Sequence, residues 1–163
     1  MKIKSVRCDN RKKAFEVVTH SRPYWLPFAK LRLRPTRANA VKSVRVDEEL
    51  GREAFTYELQ SGEEDTVHVD QVLDYNRDPR HMRDMLLYKL TLAAQERVKS
   101  SSLSKRELIR RLGTSPAQFY RLLDQTNYSK SIDQLMALLS VLDCEVDLVV
   151  QETPRTLEPA GVQ

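Results

Sequence analysis

Two short helices separated by a glycine are written into residues 104–124 more completely than any other feature of this chain. Ser104 stands at an N-cap position with Glu107 three residues on, the pattern of a capping box. Leu103 and Leu108 flank that cap at the spacing of a hydrophobic staple, which fixes how the chain enters the helix. Gly113 falls where the first helix must end, because glycine takes the left-handed backbone conformation without a Cβ clash. Ser115 can cap a second helix, Pro116 occupies its first position, where a missing N–H costs nothing, and Gln118 completes another box. Leu108, Leu112, Phe119, Leu122 and Leu123 supply the apolar side of both helices. Two helices so joined form a helix-turn-helix, which can set its second helix in the DNA major groove. A plain helical hairpin would carry the same caps.

The stretch resembles the helix-turn-helix of the phage-repressor-like, or XRE, transcription regulators. Gly113 in the turn, Phe119 and Leu122 match the family pattern, while Ile109 stands where the family usually has alanine. The resemblance covers about residues 80–150. Ser131–Leu142 is similar to the family's following helix, and Leu-Asp-Cys-Glu-Val-Asp-Leu-Val-Val of 142–150 to the short terminal strand of its antitoxin-like branch. It implies a lambda-repressor-like helix-turn-helix domain over 78–150 with a short C-terminal strand; with the strand patterns of the N-terminal half, the chain reads as α+β, its β-rich domain over 1–76 serving dimerisation or partner contact. A flexible tail over 151–163, with Pro154, Pro159 and Gly161, completes the expected organisation.

By the same resemblance, the DNA-reading positions fall on Ser115, Pro116 and Ala117, with Tyr120 and Arg121 one turn on. The fork of Arg121 can bond guanine O6 and N7 together, and a solvated arginine or a phosphate contact would fit the position equally well. Ala117 could touch a thymine methyl. Pro116-Ala117 departs from the glutamine-rich pattern of many family members, so direct readout is either modest or rests on Gln118, Tyr120 and Arg121. Lys105 and Arg106 lie at a helix N-terminus, where backbone N–H groups also face anions. Asn127, Tyr128 and Lys130 lie in the loop where family members touch the DNA backbone. Arg110 and Arg111 read first as solvated face residues.

A chain of 163 residues, 40% hydrophobic and 31% charged, fits one soluble globular domain or two small ones. No apolar run approaches the roughly 18 residues of a membrane helix, and no apolar segment follows the basic start as in a signal peptide. A cytoplasmic location without membrane contact is therefore expected. Cys8 and Cys144 make neither a disulfide framework nor a zinc spacing. The net charge of +4 hides strong segregation. Residues 1–46 hold 13 Lys/Arg against 2 Asp/Glu, and residues 47–76 hold 1 against 10. Residues 77–130 hold 12 against 5, which places positive charge on the DNA-reading unit. Folding can bring opposite blocks together and cancel them.

In the N-terminal half, strands are expected over 2–8 and 14–19 around the polar turn Asp9–Lys13. Residues 20–37, rich in proline, read as a loop with short extended pieces and a strand near Leu31 and Leu33. A strand at about 41–47 precedes a hairpin in which Phe55, Tyr57 and Leu59 alternate, Ser61-Gly62 turns, and Val67 and Val69 return. Asp70–Tyr75 fits a short helix. No repeat and no low-complexity segment stands out. Asn76-Arg77-Asp78-Pro79 reads as the domain boundary, with Asp78 capping a long helix that runs to about Lys99 and buries Met82, Leu86, Leu90 and Ala93. Another S-x-x-Q box, Ser131 to Gln134, opens a last helix whose buried face is Leu135, Leu138, Leu139 and Leu142.

No catalytic, metal or cofactor constellation is apparent. His20, His68 and His81 are scattered without ligand spacing, and His68 reads as a solvent-facing strand residue. Glu63-Glu64-Asp65 reads as a solvated hairpin tip rather than an acid/base pair. With four glycines and no phosphate-loop motif, an enzyme is not expected, nor any cofactor. The expected partner is double-stranded DNA, bound by a homodimer on a two-fold operator. Val146, Leu148 and Val150 would form the dimer strand, or else pair with the N-terminal sheet. A toxin-binding antitoxin-like repressor, a protein-interaction module that reads no DNA, and RNA binding through the aromatic and basic residues of 1–46 are the competing readings.

Overall fold

The computed structural model describes residues 1–152, which separate into two compact units, Met1–Leu86 and the chain from Leu87 onward. The first unit contains two antiparallel three-stranded sheets. Strands β1 (Ile3–Asp9), β2 (Ala14–Thr19) and β3 (Pro23–Pro27) form one; β4 (Val41–Val46), β5 (Ala54–Leu59) and β6 (Glu64–His68) form the other. Both have their middle strand in sequence order at the centre. Helix α1 (Val69–Tyr75) closes the second sheet, and a single 3-10 turn, Phe28–Lys30, closes the first.

The structure overturns the reading that the chain holds no repeat. Lys-Ser-Val-Arg-x-Asp occurs at 4–9 and again at 42–47, and Ala-Phe opens both β2 and β5. The first strand of each sheet slips register at the same point, between Ile3 and Ser5 and between Val41 and Ser43. Cys8 faces Phe15 as Val46 faces Phe55, and Leu26 faces Phe15 as Val67 faces Phe55. The two meanders escape notice in sequence because the turn between their first two strands differs in length and in charge sign. They bury a shared core of alternating strand residues, Phe15 and Val17 from one, Phe55, Tyr57 and Leu59 from the other. Phe15 meets the rings of Phe28, Phe55 and Tyr57 with centroids 5.1–5.2 Å apart.

Charge segregation is largely cancelled within this unit. Arg32 donates to Asp65 at 2.6 Å, Arg22 to Asp78 at 3.3 Å and Arg45 to Glu64 at 3.2 Å; Arg7 faces Glu16 and Arg52 faces Glu48. Asp65 is therefore not part of a solvated tip: it is buried, because Arg32 and the Thr66 N–H replace the water it loses. The expected strand near Leu31 and Leu33 is absent: 31–40 has no regular structure, and Leu31 is buried from a loop. β3 instead lies over 23–27, where Pro23 and Pro27 are tolerated because it is an edge strand.

Helix α2 (Pro79–Ser100) begins inside the first unit, not after it. Asp78 caps it as expected, accepting from the Arg80 and His81 N–H groups at 3.1 Å each, and also takes the Tyr24 hydroxyl at 2.8 Å. His81 is buried with Nε2 2.9 Å from Asp74. These ties draw the first turns of α2 into the β-rich unit. The buried row of α2 in the second unit is Leu87, Ala94 and Val98 with Thr91, not the expected row: Met82, Leu86 and Ala93 are exposed and Leu90 is half-buried. Two apolar rows coexist on this helix, and only packing decides which one turns inward.

The second unit adds α3 (Lys105–Leu112), α4 (Pro116–Leu123) and α5 (Ile132–Val141). Its core joins Leu108, Phe119, Leu122, Leu135, Leu138 and Leu139 to the buried row of α2. No C-terminal strand forms among the described residues. Residues 144–150 are irregular, and Leu148, Val149 and Val150 are 74–87% exposed, with no strand among the described residues paired to them. Of the tail expected over 151–163, Gln151 and Glu152 carry no regular structure and the rest lies outside the described residues. No helix among the described residues is long and apolar enough to cross a membrane.

Candidate nucleic-acid interface

The helix pair closes as its caps dictate. Ser104 Oγ accepts the Glu107 N–H at 3.2 Å, and Ser115 Oγ accepts the Gln118 N–H at 3.2 Å. Gly113 takes φ 62°, and the bonds Thr114 N–H to Ile109 O and Gly113 N–H to Arg110 O complete a Schellman ending. Added side-chain atoms at Gly113 would meet nothing within 4 Å, so the backbone angle alone demands glycine. The return bond of a capping box is missing: neither Glu107, Gln118 nor Gln134 accepts the N–H of its own cap serine. Glu107 does not reach back to its cap but grips Arg110 at 2.6 Å and Arg111 at 2.9 Å. Those guanidinium bonds, Arg110 first, hold its carboxyl down at about 2.

With Phe119 and Leu122 buried, α4 turns its other side outward. Pro116, Ala117, Gln118, Tyr120 and Arg121 are all exposed, as are Ser115 at the cap and Lys105 and Arg106 on α3. Lys105 Nζ lies 5.5 Å from the Tyr120 ring centroid, so the first turn of α3 and the outer row of α4 form one surface. Tyr120 is 54% exposed, an unusual investment of aromatic area in solvent. Arg106 and Arg121 have no ion pair among the described residues, whereas Arg110 and Arg111 are held by Glu107.

The sequence reading also sets Asn127 and Lys130 on the DNA backbone; the structure buries Lys130 and leaves Asn127 half-buried, its side chain bonded within its own loop and to the end of α4. Lys130 is buried, and its Nζ donates to Leu122 O at 2.9 Å and Asp124 O at 2.6 Å. Burial pushes its pKa down, against the opposing pull of Asp124. Asn127 donates to Arg121 O at 3.2 Å and accepts from Ser129. Gln95, which no sequence signal singled out, donates to Leu123 O at 2.7 Å. The carbonyls of residues 121–124, at the end of α4, thus each receive a side-chain donor, and Asp124 O also accepts the Asn127 N–H at 3.2 Å. Helix α4 is pinned at its base while its first turn stays open. Tyr128 is exposed in the same loop.

Nothing in this surface suits a bound metal: among the described residues no group of three or more His, Cys, Asp or Glu could hold one. Residues 94–148, which contain α3, α4 and α5, match the Cro/C1-type helix-turn-helix DNA-binding domain. No curated protein and no solved structure matches the chain. The domain match supports a DNA-binding regulator.

Proposed function

We propose that the protein is a sequence-specific transcriptional regulator, a repressor, that lays α4 in the major groove. The observation that carries this reading is the open row Ser115–Gln118, Tyr120 and Arg121 on a helix whose far end is fixed by Gln95, Asn127 and Lys130. A pinned base and a bare first turn suit a helix that must present side chains at fixed positions. In this reading Gln118 and Arg121 reach base edges, Lys105, Arg106 and the Ser115 hydroxyl contact phosphates, and Ala117 meets a thymine methyl. One such helix covers few base pairs, so two copies bind a two-fold operator, and the exposed Val146–Val150 segment finds its strand partner in the second copy. Footprinting on DNA upstream of the protein's own gene tests this: a protected palindromic site at moderate salt is expected, and no protection rejects it.

A second reading, a protein-interaction module on the same scaffold, gains from the burial of Lys130, which removes one expected phosphate donor. An antitoxin-like repressor, which reads DNA and also binds a toxin through its β-rich unit, is a variant of the first reading rather than of this one. Replacing Lys105 and Arg121 together by alanine separates the two, since a module that reads no DNA would keep its binding.

A further inference from the structure

The first β meander holds a cleft of about 390 Å³ where the β1–β2 turn, the 3-10 turn and the loop 31–40 meet. Phe28 and Pro35 form apolar walls, and the polar side chains on it are Asn10, Lys13, Thr36 and Arg37. All four have hydrogens to offer. Asn10 Oδ1 is taken by the Cys8 thiol at 3.3 Å, leaving its amide NH₂ free to donate. Thr36 Oγ1 already accepts the Asn39 N–H at 3.0 Å, so its hydroxyl hydrogen is the part left over. Lys13 and Arg37 are donors only, and no carboxylate lines the cleft. Elsewhere in this unit Arg7, Arg22, Arg32, Arg45 and Arg52 each face a carboxylate; Lys13 and Arg37 have none among the described residues. The nearby carboxylate of Asp9 is engaged by its own turn, accepting from the Arg11 and Lys12 N–H groups at 3.0 Å.

Comparison of the two repeats sharpens the point. The equivalent turn of the second meander carries Glu48, Glu49 and Glu53, and β6 runs directly into α1 and then α2, with no counterpart of the loop that supplies Thr36 and Arg37. The cleft therefore belongs to the first repeat alone and is not a by-product of the shared fold. Lys13 adopts φ 51°, a region where glycine or asparagine costs less, yet a cation stands there.

We infer that this cleft binds a phosphate-type oxyanion. Two fixed positive charges and two neutral donors match an anion with several acceptor oxygens, and the guanidinium fork can grip two of them at once. The walls of Phe28 and Pro35 take the organic body that carries the group. That body is either the sugar-phosphate backbone of nucleic acid or a free phosphorylated small molecule. The phosphate chemistry stands whether or not α4 reads DNA.

The test is a titration of the full chain with inorganic phosphate, followed by amide NMR. Shifts confined to residues 10–13 and 35–40 are expected, with affinity falling at least about tenfold in a Lys13→Gly, Arg37→Gln double variant. Glycine suits the Lys13 backbone angle, so this variant folds, and unchanged far-ultraviolet dichroism verifies it. A double variant that titrates like the wild type, or shifts spread evenly over exposed lysines, overturns the proposal. So does polyglutamate perturbing the same amides more strongly than phosphate, which would make this a site for acidic peptide. The source is then read from DNA: on a fragment that the wild type protects, the double variant lowers the salt slope by about two if the backbone occupies the cleft. Lost phosphate binding with an unchanged slope assigns the cleft to a free phosphorylated molecule. If the wild type protects no DNA, the regulator reading fails while the phosphate titration still decides the cleft.

Discussion

The two units of this protein solve the same problem, satisfying polar groups near a small core, over very different distances along the chain. In the helical unit the defining bonds are local: Ser104 to Glu107, Ser115 to Gln118 and Ser131 to Gln134. In the β-rich unit they join residues 33, 54 and 56 positions apart, through Arg32–Asp65, Tyr24–Asp78 and Arg22–Asp78. The helical unit keeps cations bare on one face, whereas the β-rich unit spends most of its arginines on carboxylates. Local rules build an exposed reading surface; distant pairing builds a body whose net charge is modest although its sequence blocks are extreme.

The largest expected effect tests whether the units are as separate as this contrast implies. Phe15→Ala removes a fully buried ring with three aromatic neighbours and should cost about 3–5 kcal/mol. Trp25, the single tryptophan, reports the β-rich unit, so its fluorescence transition should drop in temperature while much of the helical signal at 222 nm persists. Simultaneous collapse of both signals breaks the comparison. Next comes the reading surface: Arg121→Ala should weaken operator binding by about 1–3 kcal/mol with stability unchanged, as measured by titration on a protected fragment. Loss of stability instead would mean that Arg121 belongs to the scaffold.

Asp78 gives a smaller, pH-dependent effect in the β-rich unit. Burial favours its neutral form, but the donors from His81, Tyr24, Arg22 and Arg80 outweigh this and hold the carboxyl below its ordinary value. A lowered folded pKa means that its stabilisation is complete above the unfolded value, near 4, and is lost as pH falls through the folded one. Asp78→Ala should cost about 1–2 kcal/mol at neutral pH through the lost helix cap and should flatten the acid side of the stability profile below pH ~4. An acid limb as steep as the wild type's would remove Asp78 from that account. The smallest effect is on Glu107, half-exposed and held at about 2 by Arg110 and Arg111. Glu107→Gln should release both guanidinium groups, raise DNA affinity by less than about tenfold and steepen the salt slope by at most about one unit. Unchanged DNA binding would place both arginines outside the contact surface.

The contrast also accounts for what could be read in advance. Ser104, Gly113, Ser115, Pro116 and Ser131 mark helix ends because a cap is a bond between a side chain and a backbone group three residues away. The apolar spacing of Leu108, Phe119 and Leu135 identified the helical core in the same way. The apolar face of α2 was misread because two rows, Met82–Leu86 and Leu87–Ala94–Val98, satisfy helical spacing equally. The repeat in the β-rich unit was missed because a six-residue motif is short beside loops that differ in length and charge.

What this amino-acid sequence determined by itself is the capped helix pair, its exposed first turn and most of the strands, since these follow from backbone preferences and side-chain alternation over a few residues. Only the tertiary structure decided that Lys130 and Asn127 donate to the carbonyls at the end of α4, that Arg32 and Arg22 neutralise distant aspartates, and that Lys13 and Arg37 share a cleft. A flexible charged side chain carries no local record of its partner. The choice between solvent, carbonyl and carboxylate is made by desolvation, which exists only once the surrounding elements have packed.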